Sequence, residues 1–106
     1  MSKIINSVYV ISKTILANNA RNICSADKEI HKIIGNASKK YIGCISSQNI
    51  HTNQRILINV SNWYSVQMWE NWKNSSDRYY LKMDYKNRYH EEFKIIDLQN
   101  DISNRV

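Results

Sequence analysis

The chain has 106 residues, a formal net charge of +6 and a sequence pI of about 9.4. That length makes one domain, able to bury about two thirds of its unfolded surface. It has no run of about 20 apolar residues, which excludes a transmembrane helix; its lysines and arginines are scattered, so the charge surplus reads as a solvated surface that still allows an anionic partner.

Behind Lys3 the lead carries only Ile4 and Ile5, too short an apolar region for a secretion signal, and a cytoplasmic location is expected. Ser7 to Leu16 is rich in β-branched and aromatic residues and predicts the first strand. Its alternation puts Tyr9, Ile11, Lys13 and Ile15 on one face and Val8, Val10, Ser12 and Thr14 on the other. Ala17 to Asn22 is a loop. Ser25 or Asp27 can cap a helix whose apolar stripe is Ile30, Ile33, Ile34 and Ala37, with Lys39 and Lys40 at its C-terminal end. Gly35 weakens that helix by about 1 kcal/mol relative to alanine. His31, beside the stripe, reads as a surface or boundary residue. Cys24 and Cys44 have neither C-x-x-C spacing nor clustered histidines, so reduced thiols and no metal site are expected.

Tyr41 to Ile50 predicts strand two, and a polar connection containing His51 joins it to strand three, Gln54 to Trp63. In strand three Ile56, Ile58 and Val60 share one face; Leu57, Asn59, Ser61 and Trp63 share the other. After Trp63 the spacing turns helical. Ser65 supplies a cap, and Val66, Trp69 and Trp72 with Met68 fall on one side. Ser75 to Arg88, with Tyr79, Tyr80 and Tyr85, reads as a short helical piece and a loop. Glu92 to Leu98 is strand four. One domain spans residues 7–98, followed by a polar tail, 99–106.

The order β-α-β-β-α-β predicts an α+β, ferredoxin-like sheet with two helices on one face. The other face is bare and needs covering. The periodicity assigns Asn59 and Trp63 to that uncovered face, where self-association, a ligand or single-stranded nucleic acid would bury them. An RNA-recognition sheet shares the element order. Its third strand should carry a basic-glycine-aromatic signature, and Gln54 to Val60 has neither glycine nor aromatic residue, which disfavours nucleic acid.

Trp63, Ser65, Trp69, Trp72 and Ser75, in the run Asn62-Trp-Tyr-Ser-Val-Gln-Met-Trp-Glu-Asn-Trp-Lys-Asn-Ser75, resemble the segment by which the antibiotic biosynthesis monooxygenase family is recognised. Tyr41-Ile42-Gly43 resembles that family's aromatic-glycine entry to strand two, without the usual proline. The resemblance implies a dimeric α+β barrel, in which two four-stranded sheets pack face to face and each subunit encloses a pocket between sheet and helices. It implies oxidation of a small phenolic or quinol-type aromatic substrate by molecular oxygen with no cofactor, neither metal nor flavin. A binding or stress-response module on the same barrel is the alternative. Matched residue by residue, Asn59 and Trp63 fall on catalytic positions of the polyketide-oxidising branch, and Trp69 replaces its tyrosine. Asn59 is then placed to hold a substrate oxygen or a developing oxyanion through its amide N–H, with Trp63 as a pocket wall. Trp69, Trp72, Ser61 and Ser12 complete the candidate substrate pocket. The haem-degrading branch expects a histidine where Lys82 stands and an asparagine where Ser12 stands, which argues against haem cleavage.

Overall fold

The computed structural model describes residues 7–17, 22–50, 53–83 and 88–97. Within them the chain forms β1 (Val8–Leu16), α1 (Ser25–Lys39), β2 (Cys44–Ile50), β3 (Ile56–Trp63), α2 (Val66–Lys73), α3 (Ser76–Lys82) and β4 (Tyr89–Asp97). The lead Met1–Asn6, His51, Tyr85, Leu98 and the tail 99–106 lie outside the described residues.

The strands make one antiparallel sheet in the order β2-β3-β1-β4. This is the expected α+β, ferredoxin-like arrangement, with β1 and β3 central. The short helical piece expected after Ser75 is α3, and Ser75 separates it from α2, accepting from the Arg78 N–H at 3.2 Å and donating to the Trp72 carbonyl at 2.7 Å. Ser65 caps α2 as predicted, accepting from the Met68 N–H at 3.2 Å. β4 begins at Tyr89, three residues before the predicted Glu92, because it pairs with β1 as far as Leu16. β2 begins at Cys44 rather than Tyr41. Gly43 there takes φ +94°, a conformation that favours glycine, and turns the chain into the strand.

Helix α1 starts at Ser25, so its cap lies one residue before the first predicted one. Cys24 is the N-cap, and Asp27 accepts from its backbone N–H at 3.1 Å and from its thiol at 3.2 Å. The buried Asp27 carboxylate also pairs with Arg88, which ties the start of α1 to the start of β4. Burial would raise the Asp27 pKa. The bonds from Cys24 and Tyr89 and the charge of Arg88 outweigh it and hold the carboxyl below its usual value.

The helices cover the face bearing Val8, Val10, Thr14, Leu16, Leu57, Ser61 and Trp63, all of them buried. The expected assignment of Asn59 and Trp63 to the uncovered face is therefore corrected: they point beneath the helices. Strand periodicity separates two faces but does not say which one the helices take, and both faces of β3 carry apolar residues. Val8, Val10, Trp63, Trp69 and Trp72 form the main core, with Tyr41, Met68 and Phe93 packed against it. Trp63 is 0% exposed, so truncation to alanine would cost about 3–5 kcal/mol.

The predicted stripe of α1 is also displaced. Ile33 is 44% exposed, whereas Asp27, His31, Gly35 and Ser38 are buried. Ile30 and Ile34 pack to one side against Leu16 and Tyr89, while Ile34 and Ala37 reach the tryptophan core. The line of closest approach to the sheet is thus polar, flanked by apolar residues.

Candidate functional site

That polar line roofs a cavity. His31, Ile34, Gly35 and Ser38 come from α1, Trp69 and Trp72 from α2, and Arg78 from α3. The floor is the sheet: Asn49, Asn59 and Ser61 from β2 and β3, Ser12 and Thr14 from β1, and Glu91 and Phe93 from β4. Register explains the floor. Asn49 pairs with Asn59, Asn59 with Ser12, and Ser12 with Phe93, so these four residues form one row across the sheet. The cavity measures about 40 Å³, room for about three water molecules.

Of the sequence-predicted site residues, the cavity brings together Asn59, Ser61, Ser12, Trp69 and Trp72. Trp63 is not among the lining residues. It lies in the core, and its indole N–H donates to Ser61 Oγ at 2.8 Å, so it touches the cavity through Ser61. Trp69 forms a wall with Phe93, their rings 5.3 Å apart at 67°. Trp72 packs against Tyr41, their rings 5.2 Å apart and tilted at 55°.

Asn59 is held by β2. Its Nδ2 donates to Ser47 Oγ at 3.0 Å and to Asn49 Oδ1 at 2.8 Å. Both amide protons are therefore engaged within the protein rather than offered through N–H to a ligand. Ser47 also meets Ser38 at 2.8 Å, and Ser38 donates to the Gly35 carbonyl at 2.7 Å. Gly35 has a packing reason: a Cβ there would lie 2.7 Å from both Nδ2 and Oδ1 of Asn49.

His31, expected as a surface or boundary residue, is instead buried and lines the cavity. Burial lowers its pKa; a long contact with the Ile58 carbonyl, 3.4 Å from Nε2, opposes that, and nearby Lys82 adds to it. The imidazole is thereby favoured as neutral. The same i, i+3, i+4, i+7 spacing in His31, Ile34, Gly35 and Ser38 was the available sequence signal, masked by the neighbouring isoleucines.

A charged cluster closes one side. Arg78 and Glu91 pair at 2.6 Å, and Lys82 contacts the same carboxylate; their side chains are 12%, 20% and 11% exposed respectively. Outside this cluster lies an open groove of about 370 Å³ that Lys73 and Tyr79 also line. Arg78 and Glu91 line both spaces, so groove and cavity adjoin at this pair.

A four-stranded antiparallel sheet covered on one face by helices is a fold this chain shares with solved structures that include one named as an antibiotic biosynthesis monooxygenase and a cofactor-independent oxygenase. A protein from Nitrosomonas europaea named for that family matches with a TM-score of 0.73 at 8% identity, over 92% of this chain and 94% of that one. SnoaB, a cofactor-independent oxygenase from Streptomyces nogalater, matches with a TM-score of 0.70 at 5% identity, over 86% and 91%. A conserved protein from Bacteroides thetaiotaomicron, described as a possible oxidoreductase, matches with a TM-score of 0.71 at 9% identity, over 90% and 100%. At these identities the likeness is one of fold. No family model matches the sequence, and no curated protein matches it. Among the described residues no helix is long and apolar enough to cross a membrane.

Proposed function

We propose that this chain is a cofactor-independent monooxygenase that oxidises a small phenolic or quinol-type aromatic substrate with molecular oxygen. One observation carries the reading: a fold shared with a cofactor-independent oxygenase encloses a cavity whose walls are Trp69, Trp72 and Phe93 and whose floor is Asn59, Ser61 and Ser12. Such a lining suits a flat ring bearing oxygen substituents. Asn59 contacts a substrate oxygen, and Trp63 acts through Ser61 by fixing its hydroxyl. The neutral His31 imidazole supplies a group able to take a substrate proton. No external reductant is needed. A quinol and dioxygen give a hydroxyquinone and water, with the quinol furnishing the electrons for the second oxygen atom.

Ligand pockets are typically several hundred Å³, so substrate entry requires the cavity to widen, and the Arg78–Glu91 pair is where it meets the groove. The groove outside is the route in. The homodimer belongs to the same proposal. The uncovered face carries Ile11, Ile56, Ile58, Val60 and Ile96, an apolar strip that a second copy would bury, with Lys13, Glu92 and Lys94 beside it. A cytoplasmic location completes the reading.

Oxygen uptake on a panel of hydroquinones tests it. Wild-type protein is expected to consume oxygen, and Asn59→Ala and Trp63→Phe to slow it. Uptake at the uncatalysed rate would overturn it. The small cavity, with Trp69 in place of a phenolic proton donor, favours one second reading, a small-ligand-binding barrel without catalysis; binding without oxygen uptake would establish that instead.

A further inference from the structure

We infer that Asn59 faces the cavity as a hydrogen-bond acceptor, so that the site recognises a neutral hydroxyl group rather than an oxyanion. The direction follows from how the bonds connect. The Gly35 carbonyl can only accept, and Ser38 donates to it at 2.7 Å. A serine has one proton, so the 2.8 Å contact between Ser38 and Ser47 must be donated by Ser47. With its proton spent, Ser47 accepts from Asn59 at 3.0 Å. A second chain gives the same sense. The His31 carbonyl accepts from Asn49 Nδ2 at 3.4 Å, which turns Asn49 Oδ1 towards Asn59 Nδ2 at 2.8 Å.

Both chains begin at backbone carbonyls of α1, which have no proton to give. Turning the Asn59 amide over would bring its oxygen against two oxygens that have no proton for it. Both N–H groups therefore point to β2, and Oδ1 is left as the acceptor. Among the described residues no donor is bonded to it. Ser61, the next residue on the same strand face, accepts the Trp63 indole N–H and so retains its own proton to donate. The two groups stand about 6–7 Å apart along the strand.

A ligand matching this pair carries an O–H at one end and an accepting oxygen at the other. A quinol or a hydroxyaryl carbonyl in its protonated form does so, whereas a phenolate would meet the lone pairs of Asn59. The aromatic class rests on the proposed function; the direction of the Asn59 amide does not. The titratable groups at the cavity are His31 from α1, Arg78 from α3 and Glu91 from β4, with Lys82 of α3 behind Glu91. Among the described lining residues, β1, β2, β3 and α2 contribute hydroxyls, amides and indoles only.

The probe is 4-nitrophenol, whose absorption separates phenol from phenolate, titrated against 4-nitroanisole, which lacks the proton. Neutral nitrophenol is expected to bind about tenfold more tightly than either the phenolate or the anisole, and the bound probe to ionise about one pH unit higher than the free one. Asn59→Leu should remove the preference, and the comparison of the two probes on wild-type protein stands if that variant fails to fold. Binding of the phenolate, equal binding of the anisole, or no binding of any of these species would overturn the inference. Oxygen uptake on quinols together with phenolate preference would sink the inference alone. Neutral-phenol preference without uptake would sink the proposed activity alone.

Discussion

Replacing Gly35 with alanine sets two opposed effects of similar size against each other. Alanine in a helix interior is worth about 1 kcal/mol over glycine. The new Cβ, however, would lie 2.7 Å from both terminal atoms of the Asn49 amide, closer than real Cβ contacts come, so the amide must leave. Its departure breaks the bond to the His31 carbonyl and the bond from Asn59. At about 1 kcal/mol each, the loss is up to about 2 kcal/mol, an upper figure because Asn49 reaches solvent. Gly35→Ala alone should therefore destabilise the fold by up to about 1 kcal/mol. In an Asn49→Ala background nothing obstructs the methyl group, and the same change should stabilise by about 1 kcal/mol. The coupling, up to about 2 kcal/mol, is read from urea unfolding of wild type, the two single variants and the double variant. Equal stabilisation in both backgrounds would mean that Asn49 moves aside freely and that the chains orienting Asn59 carry no rigidity.

Two other outcomes are expected. Because burial lowers the His31 pKa, the unfolded chain binds more protons than the folded chain once pH drops below about 6.5. The His31 contribution is intact above that value and is lost as pH falls through it, at up to about 1.4 kcal/mol per pH unit; His31→Gln should flatten unfolding free energy between pH 7 and 5, and an unchanged slope would refute the burial argument. Asp27, held low, titrates below this window. Val60→Lys places a charge amid the uncovered apolar face, beside Ile11. Sedimentation or light scattering should then report a dimer for wild type and a monomer for the variant, since burying an unpaired charge costs several kcal/mol; a monomeric wild type would remove the self-association proposal.

Much of this architecture can be read along the chain because its causes are local. Alternation in Val8–Leu16 and Ile56–Trp63 reports strands, since side chains of a strand alternate by geometry. Ser65 and Ser75 mark helix starts because a free hydroxyl satisfies the first-turn N–H groups. The spacing of Trp69 and Trp72 gives the buried side of α2 directly. The pairing of Asn59 with Trp63 on one face is legible for the same reason, and with it part of the cavity floor.

Which face the helices would cover was not local information, and neither was the rotation of α1. The isoleucines dominate the helical pattern, yet Ile33 faces solvent while His31 and Ser38 face the sheet. Polar residues can occupy that line because their partners lie on another element, the following strand β2: Ser47 answers Ser38, and Asn49 answers His31. The sequence by itself determined the elements, the Ser65 cap and the Trp69 and Trp72 walls. Only tertiary packing decided that Trp63 would be core, that His31 would enter the cavity, and which end of the Asn59 amide would face it. Hydrogen-bond direction is a property of closed chains of donors and acceptors, and those chains close only when α1 lies on β2.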